Sequence, residues 1–199
     1  MKQSHVASHS HLPITDKIGR EHCFNCVVEE HQTRAYNLAR YMLGDWALAE
    51  DATQEAFLSA YKAFQGFRGG NLAAWLMRIV ANACRDMLRA KGARPSQPLD
   101  SLVVEPEDPV ASHQASPESQ ALSQEILGTI QQGLETLVPE QRMALVLIDI
   151  QNFSYEEAAQ AMSTSLGTVK SRLSRGRAAL RDFLRNQREL LPPSLRLEI

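Results

Sequence analysis

The stretch Gly167-Thr168-Val169-Lys170-Ser171-Arg172-Leu173-Ser174-Arg175-Gly176-Arg177 decides how the chain is read. It follows Ser154-Tyr155-Glu156-Glu157-Ala158-Ala159 and the short link Ser163-Thr164-Ser165. Leu166, Val169, Leu173, Leu180 and Leu184 recur at helical intervals and predict one apolar stripe that packs on the preceding helix. Thr168, Ser171, Ser174 and Arg175 fall on the opposite side. Short hydroxyls let a backbone come close to a groove, and an arginine offers the two-pronged donor that matches the major-groove edge of guanine. Ser154 with Glu157 predicts a capping box, and Ser165 predicts the next N-cap. Two helices joined by so tight a link read as a helix-turn-helix whose second helix enters duplex DNA.

From Lys170 to Arg188 the chain carries Lys170, Arg172, Arg175, Arg177, Arg181, Arg185 and Arg188 against Asp182 alone. Such one-sided charge favours phosphates, although the whole chain has a formal net charge of only -2. The charge is segregated. Gly44 to Ala60 holds Asp45, Glu50, Asp51 and Glu55 with no Lys or Arg, whereas Arg78 to Arg94 holds Arg78, Arg85, Arg89, Lys91 and Arg94 against Asp86. The first pattern suits a basic protein surface and the second suits nucleic acid.

At 199 residues and 44% hydrophobic, the chain has room for two small domains. Strict alternation is absent. Leu72, Leu76, Ile79, Ala83 and Met87 make a second helical stripe, and Leu48, Ala52, Ala56 and Ala60 a third, of small residues that permit close packing. The expected fold is all-α. Pro95, Pro98, Pro106, Pro109 and Pro117 cluster in a Ser- and acid-rich segment with little apolar surface, which predicts a linker over 93–123. The expected plan is therefore a disordered His-rich tail over 1–20, a helical domain over 21–92, the linker, a helix-turn-helix domain over 124–188 and a tail over 189–199.

No stretch suits a membrane span, since the apolar run Met143 to Ile148 is far too short, and the N-terminus lacks a basic start and apolar core. A cytoplasmic location is expected. Cys23, Cys26 and Cys84 are too few and unevenly placed for a disulfide scaffold. His22, Cys23, Cys26 and His31 have the spacing of a zinc knuckle, but Tyr36 stands where a fourth ligand belongs. Packing is the preferred reading of these residues, with no metal or cofactor. No phosphate-binding glycine loop or nucleophile–base pattern stands out, and an enzyme is not expected.

An acidic helix, a basic helix, a linker and a helix-turn-helix, in this order, resemble the extracytoplasmic-function sigma factors of bacterial RNA polymerase, of the sigma-70 family. The resemblance runs from about Phe24 to Asn186. It rests on Gly44-Asp45, the run Ala49 to Phe57, Phe67-Arg68-Gly69, the run Ala74 to Ile79, the run Asn82 to Asp86 and the run Gly167 to Arg177. It implies an alternative sigma factor, monomeric when free, that binds core polymerase and directs promoter recognition, melting and initiation. An anti-sigma factor is the implied control.

The resemblance implies that the first domain is sigma region two, with Asp51, Gln54, Glu55, Phe57 and Leu58 on the clamp helices of the polymerase's largest subunit. Phe67, Arg68 and Asn71 belong to a loop that captures a base flipped from the minus-ten element. Arg78, Asn82, Arg85 and Arg89 recur at helical spacing and form one polar face for the phosphates and base edges of that element. Trp75 is assigned to packing. The second domain is implied to be sigma region four, reading the minus-thirty-five element: Lys170, Ser171, Ser174 and Arg175 at bases, Arg172 and Arg177 at phosphates, and Thr168 as a cap or backbone contact. The alternative is a dimeric helix-turn-helix regulator of operator DNA, which explains the C-terminal domain but neither the acidic helix nor the loop.

Overall fold

The structure, a computed structural model, describes residues 14–15, 21–93 and 117–187. Most of the tail over 1–20, most of the linker and the residues after 187 lie outside the described residues. A two-residue antiparallel ladder joins β1 (Ile14–Thr15) to β2 (Glu21–His22). Among the described residues everything else of regular form is helical.

The first three helices are α1 (Phe24–Leu43), α2 (Trp46–Phe64) and α3 (Leu72–Ala93). Gly44 ends α1 with φ 75°, its amide donating to the Arg40 carbonyl at 2.9 Å, and Asp45 at once caps α2 by accepting from the Leu48 amide at 3.0 Å. A glycine in the left-handed region followed by a short carboxylate turns the chain in the least possible space. The inner face of α2 is Ala49, Ala52, Ala56 and Ala60, all fully buried. With only methyl groups in the way, α1 and α3 approach closely, and the bulk of the core comes from Leu38 and Met42 on one side and Leu76, Met77 and Val80 on the other.

The second group is α4 (Pro117–Glu135), α5 (Pro139–Leu145), a π-turn (Val146–Ile150), α6 (Tyr155–Met162) and α7 (Leu166–Asn186). α4 begins at Pro117, inside the stretch whose composition predicted linker, because proline costs no hydrogen bond at a first helical position. Pro139 does the same for α5. At Gly133 an added Cβ would lie 2.5 Å from Leu180 and 2.9 Å from Phe183, so α4 and α7 touch where a side chain is missing.

The two groups share an interface. Arg142, buried at the start of α5, donates to the Met42 carbonyl at 2.5 Å and to the Glu135 and Leu137 carbonyls at 2.9 and 3.3 Å. Burial lowers its pKa, and the Glu135 charge opposes that change. The carbonyls at the end of α1 are its natural partners, since helix C-termini carry negative potential. Arg34 of α1 donates to the Gln151 carbonyl while the Gln151 amide donates to the Arg34 carbonyl, both at 2.8 Å, and the Arg34 guanidinium lies 4.9 Å over the Phe153 ring.

Candidate functional site

Opposite its alanine face, α2 presents Asp51, Gln54, Glu55 and Leu58 to solvent, extended one turn further by Tyr61. Leu58 and Tyr61 are each 64% exposed, an apolar patch within an acidic helix face. Phe57 is turned partly inward, with its ring 6.5 Å from Phe24. Tyr61 was absent from the sequence expectation, although it continues the same i, i+3, i+4, i+7 series.

The loop before α3 corrects one expectation. Phe67 is 8% exposed and packs on Trp75 with ring centroids 5.2 Å apart, so its face is committed to the core rather than open to a base. A large aromatic beside two glycines finds more apolar surface inside than in the loop. Trp75 lies against Phe64 and Phe67, as expected of a packing residue. Arg68 and Gly70 remain exposed, and Gly69 and Gly70 take φ of 89° and 112°, open to few other residues.

Asn71 caps α3 by accepting from the Ala74 amide at 2.9 Å, and its own amide donates to Glu157 Oε1 at 2.6 Å. Along α3, Arg78, Asn82 and Arg89 are exposed and Arg85 is half-buried. Arg85 donates to Asn82 Oδ1 at 2.8 Å, and Arg89 pairs with Asp86 at 3.4 Å. Arg78, Asn82, Arg85 and Arg89 therefore make a polar ridge in which the Arg85 and Arg89 guanidiniums are steadied along the helix.

The helix-turn-helix forms as the sequence predicted. Ser154 and Glu157 make both halves of a capping box, the Ser163 turn residue takes φ 51°, and the Ser165 hydroxyl accepts from the Thr168 amide at 3.2 Å. The Ser154 amide, with the Asn71 amide adding to it, holds the Glu157 carboxyl below the usual carboxylate range. Val169 and Leu173 are buried, Leu180 and Leu184 are half-buried, and Leu166 departs from the expected stripe by standing 41% exposed in the first turn.

On the outer side of α7, Gly167, Lys170, Ser174 and Arg175 are exposed, with Ser171 between them. Arg175 folds along the helix to Ser171, reaching its carbonyl and its hydroxyl at 3.3 Å each. Lys170 stands 5.7 Å over the Tyr155 ring. The two arginines expected at phosphates have neighbours within the protein. Arg177 makes a two-pronged ion pair with Asp149 of the π-turn, at 2.5 and 2.9 Å, which raises its pKa. Arg172 shares an interdomain cleft with Arg85, Glu140, Met143, Met162 and Thr164. Arg177 thus braces its own domain, because the π-turn brings a carboxylate within its reach.

Among the described residues no three His, Cys, Asp or Glu side chains converge on one point, and His31 is buried in α1. No helix among them is long and apolar enough to cross a membrane.

Residues 27–94 match the sigma-70 region 2 family and residues 127–180 match the sigma-70 region 4 family. The ECF RNA polymerase sigma factor SigM of Mycobacterium tuberculosis is 34% identical over 181 residues, covering 90% of this chain and 86% of that one. SigE of Mycolicibacterium smegmatis is 37% identical over 158 residues, or 79% of this chain and 60% of the longer relative. In three dimensions the chain is similar to the sigma factor RpoE of Bartonella quintana, solved with the anti-sigma factor NepR: TM-score 0.62, 28% identity, covering 81% of this chain and 96% of that one. Two matched regions in series, and a relative matched over most of its length, place the chain in the extracytoplasmic-function branch of the sigma-70 family, the alternative sigma factors that serve transcription initiation.

Proposed function

We propose that the protein docks on core RNA polymerase through the outer face of α2, sets α7 in the major groove of an upstream promoter element, and uses α3 with the Arg68–Asn71 loop to hold melted DNA downstream. In this role it catalyses no reaction, working as a monomer in the cytoplasm where polymerase and promoter are found. The observation that carries this reading is the two-sidedness of α2: alanines within, and Asp51, Gln54, Glu55, Leu58 and Tyr61 without. A helix with no work outside its domain has little reason to expose leucine and tyrosine among acids. Acceptors around an apolar centre suit a basic coiled coil, where charge steers the encounter and the buried patch supplies affinity. A dimeric operator reader gives this face nothing to do.

On α7, Lys170, Ser171, Ser174 and Arg175 are the proposed base or near-base contacts, and the Ser165-capped N-terminus points its amides toward phosphate. Elements named for positions ten and thirty-five are separated by about 25 base pairs, roughly 85 Å at 3.4 Å per base pair. Asn71 and Glu157, joined by a 2.6 Å hydrogen bond, cannot serve both at once. The interface between the domains therefore opens when promoter DNA is engaged. An anti-sigma protein acting on the closed or partly closed form is the proposed control, by similarity to the RpoE relative solved with NepR.

The test is binding to core polymerase by Asp51→Arg combined with Gln54→Ala, alongside run-off transcription. Loss of binding with an unchanged far-ultraviolet spectrum is the expected result. Full binding would remove α2 as the docking face.

A further inference from the structure

Cys23 and Cys26 sit in the first turn of α1 and touch. Cys23 is the N-cap, with φ -92° and ψ 136°, and its sulfur accepts from the Cys26 amide at 3.4 Å. The Cys26 thiol donates to the same sulfur at 3.0 Å. Both are free thiols, Cys26 exposed and Cys23 half-exposed. The third cysteine is a different case: Cys84 is buried in α3, and burial pushes its thiol up to about 12. A disulfide needs about 2.05 Å between sulfurs, so bridging asks for a movement of about 1 Å in an exposed first turn.

The two thiols are not equivalent. Two donors, the Cys26 thiol first and the Cys26 amide second, lower the Cys23 pKa, while donating to Cys23 raises that of Cys26. A thiolate at a helix N-terminus is the form that attacks peroxides, and a neighbouring protonated thiol is suited to resolve the product. Among the described residues no group of three His, Cys, Asp or Glu side chains includes the pair.

We propose that Cys23 and Cys26 form an oxidisable dithiol that closes to an intramolecular disulfide on reaction with a hydroperoxide. The Cys23 thiolate attacks the peroxide, forming an S–O bond as the O–O bond breaks. The departing oxygen takes up a proton, leaving Cys23 as a sulfenic acid. The Cys26 sulfur then attacks the Cys23 sulfur; the S–S bond forms, the S–O bond breaks, and the expelled hydroxide leaves as water with the Cys26 proton. Two thiols are oxidised by two electrons, and one hydroperoxide is reduced to water and an alcohol, or to two waters when it is hydrogen peroxide.

The bridge has a route to function. Phe24 lies between the two cysteines in sequence, and its ring packs edge-on against Tyr61 at 5.2 Å and Phe64 at 5.3 Å. Tyr61 belongs to the α2 face assigned above to polymerase, so this consequence rests on that reading. Closing the bridge removes the negative charge from the N-cap sulfur, draws the Cys26 sulfur about 1 Å closer to it and so re-sets the turn carrying Phe24.

The full-length protein, fully reduced and then exposed to a small molar excess of hydrogen peroxide, is followed by intact mass and thiol titration. The expected product is a monomer lighter by two hydrogens, with Cys84 its remaining thiol and a peptide map linking Cys23 to Cys26. Cys26→Ser should accumulate a sulfenic acid that dimedone captures, and Cys23→Ser should react at least about tenfold more slowly. Retention of all thiols, or disulfide-linked dimers in place of the internal bridge, overturns the proposal. Core-polymerase affinity of the oxidised and reduced forms is measured in parallel. A bridge without any change in that affinity upholds the dithiol and removes the Phe24–Tyr61 route to the α2 face, while Asp51→Arg with Gln54→Ala tests that face by itself; absence of a bridge overturns the dithiol whatever the polymerase does.

Discussion

Asn71 donates to Glu157 Oε1 at 2.6 Å while Glu157 Oε2 accepts from the Ser154 amide at 2.8 Å, so one carboxylate closes the capping box of α6 and pins α3 to it. Replacing Glu157 by Gln keeps the shape and removes the charge. The folded-state pKa of Glu157 is depressed, so its stabilisation is complete above the unfolded value of about 4.3 and is lost as pH falls through the lower folded value. Thermal melts from pH 7 to pH 3 should show an acid-side loss in the parent that is visibly smaller in Glu157→Gln.

Arg142 is the second joint. Arg142→Leu leaves the Met42, Glu135 and Leu137 carbonyls without this donor at a buried boundary, which should lower stability by about 2–4 kcal/mol in urea titration. Small-angle scattering should record a larger radius of gyration under native conditions. An unchanged radius with full stability would show that the interface does not depend on the guanidinium.

At Gly44 the left-handed backbone decides the outcome. Gly44→Ala forces a Cβ into φ 75° and against the Glu135 carboxylate, which an exposed side chain can yield only by leaving Gln131, its partner at 3.1 Å. The strain predicts a loss of about 1–2 kcal/mol in denaturant titration. Gly70→Ala meets nothing within 4 Å and suffers from φ 112° alone, so the pair separates backbone strain from contact.

For the proposed reading head, Arg175→Ala should weaken binding to the cognate upstream element by about 1–3 kcal/mol, with other duplexes unaffected. A loss of the same size on every sequence would move Arg175 to the phosphates. Ser171→Ala is the companion, since its hydroxyl steadies the guanidinium at 3.3 Å.

Periodicity and capping were the legible part of this chain. Ser154, Glu157 and Ser165 announce the helix-turn-helix through interactions spanning three residues, and the alanine series of α2 announces a close-packed face. Both are local, so spacing carries them. The partners of Arg142 come from α1, from the end of α4 and from the link to α5, a convergence no window of sequence contains. Asp149 and Arg177 escaped for a related reason: the π-turn adds a residue to its coil, and periodicity read at 3.6 places Asp149 wrongly. Phe67 was placed by likeness to a loop, whereas the neighbouring Trp75 ring holds it inside.

The shared carboxylate of Glu157 has one further meaning. It fills a donor on Asn71 that the proposed mechanism would offer to promoter DNA, and it does so as an anion near the start of α3. If Asn71 meets the promoter as proposed, Glu157 stands in the closed protein where DNA would stand in the open one. On the proposed mechanism, entry of the promoter exchanges one carboxylate contact for contacts to a polyanion, so salt weakens the incoming DNA more than the lock it displaces.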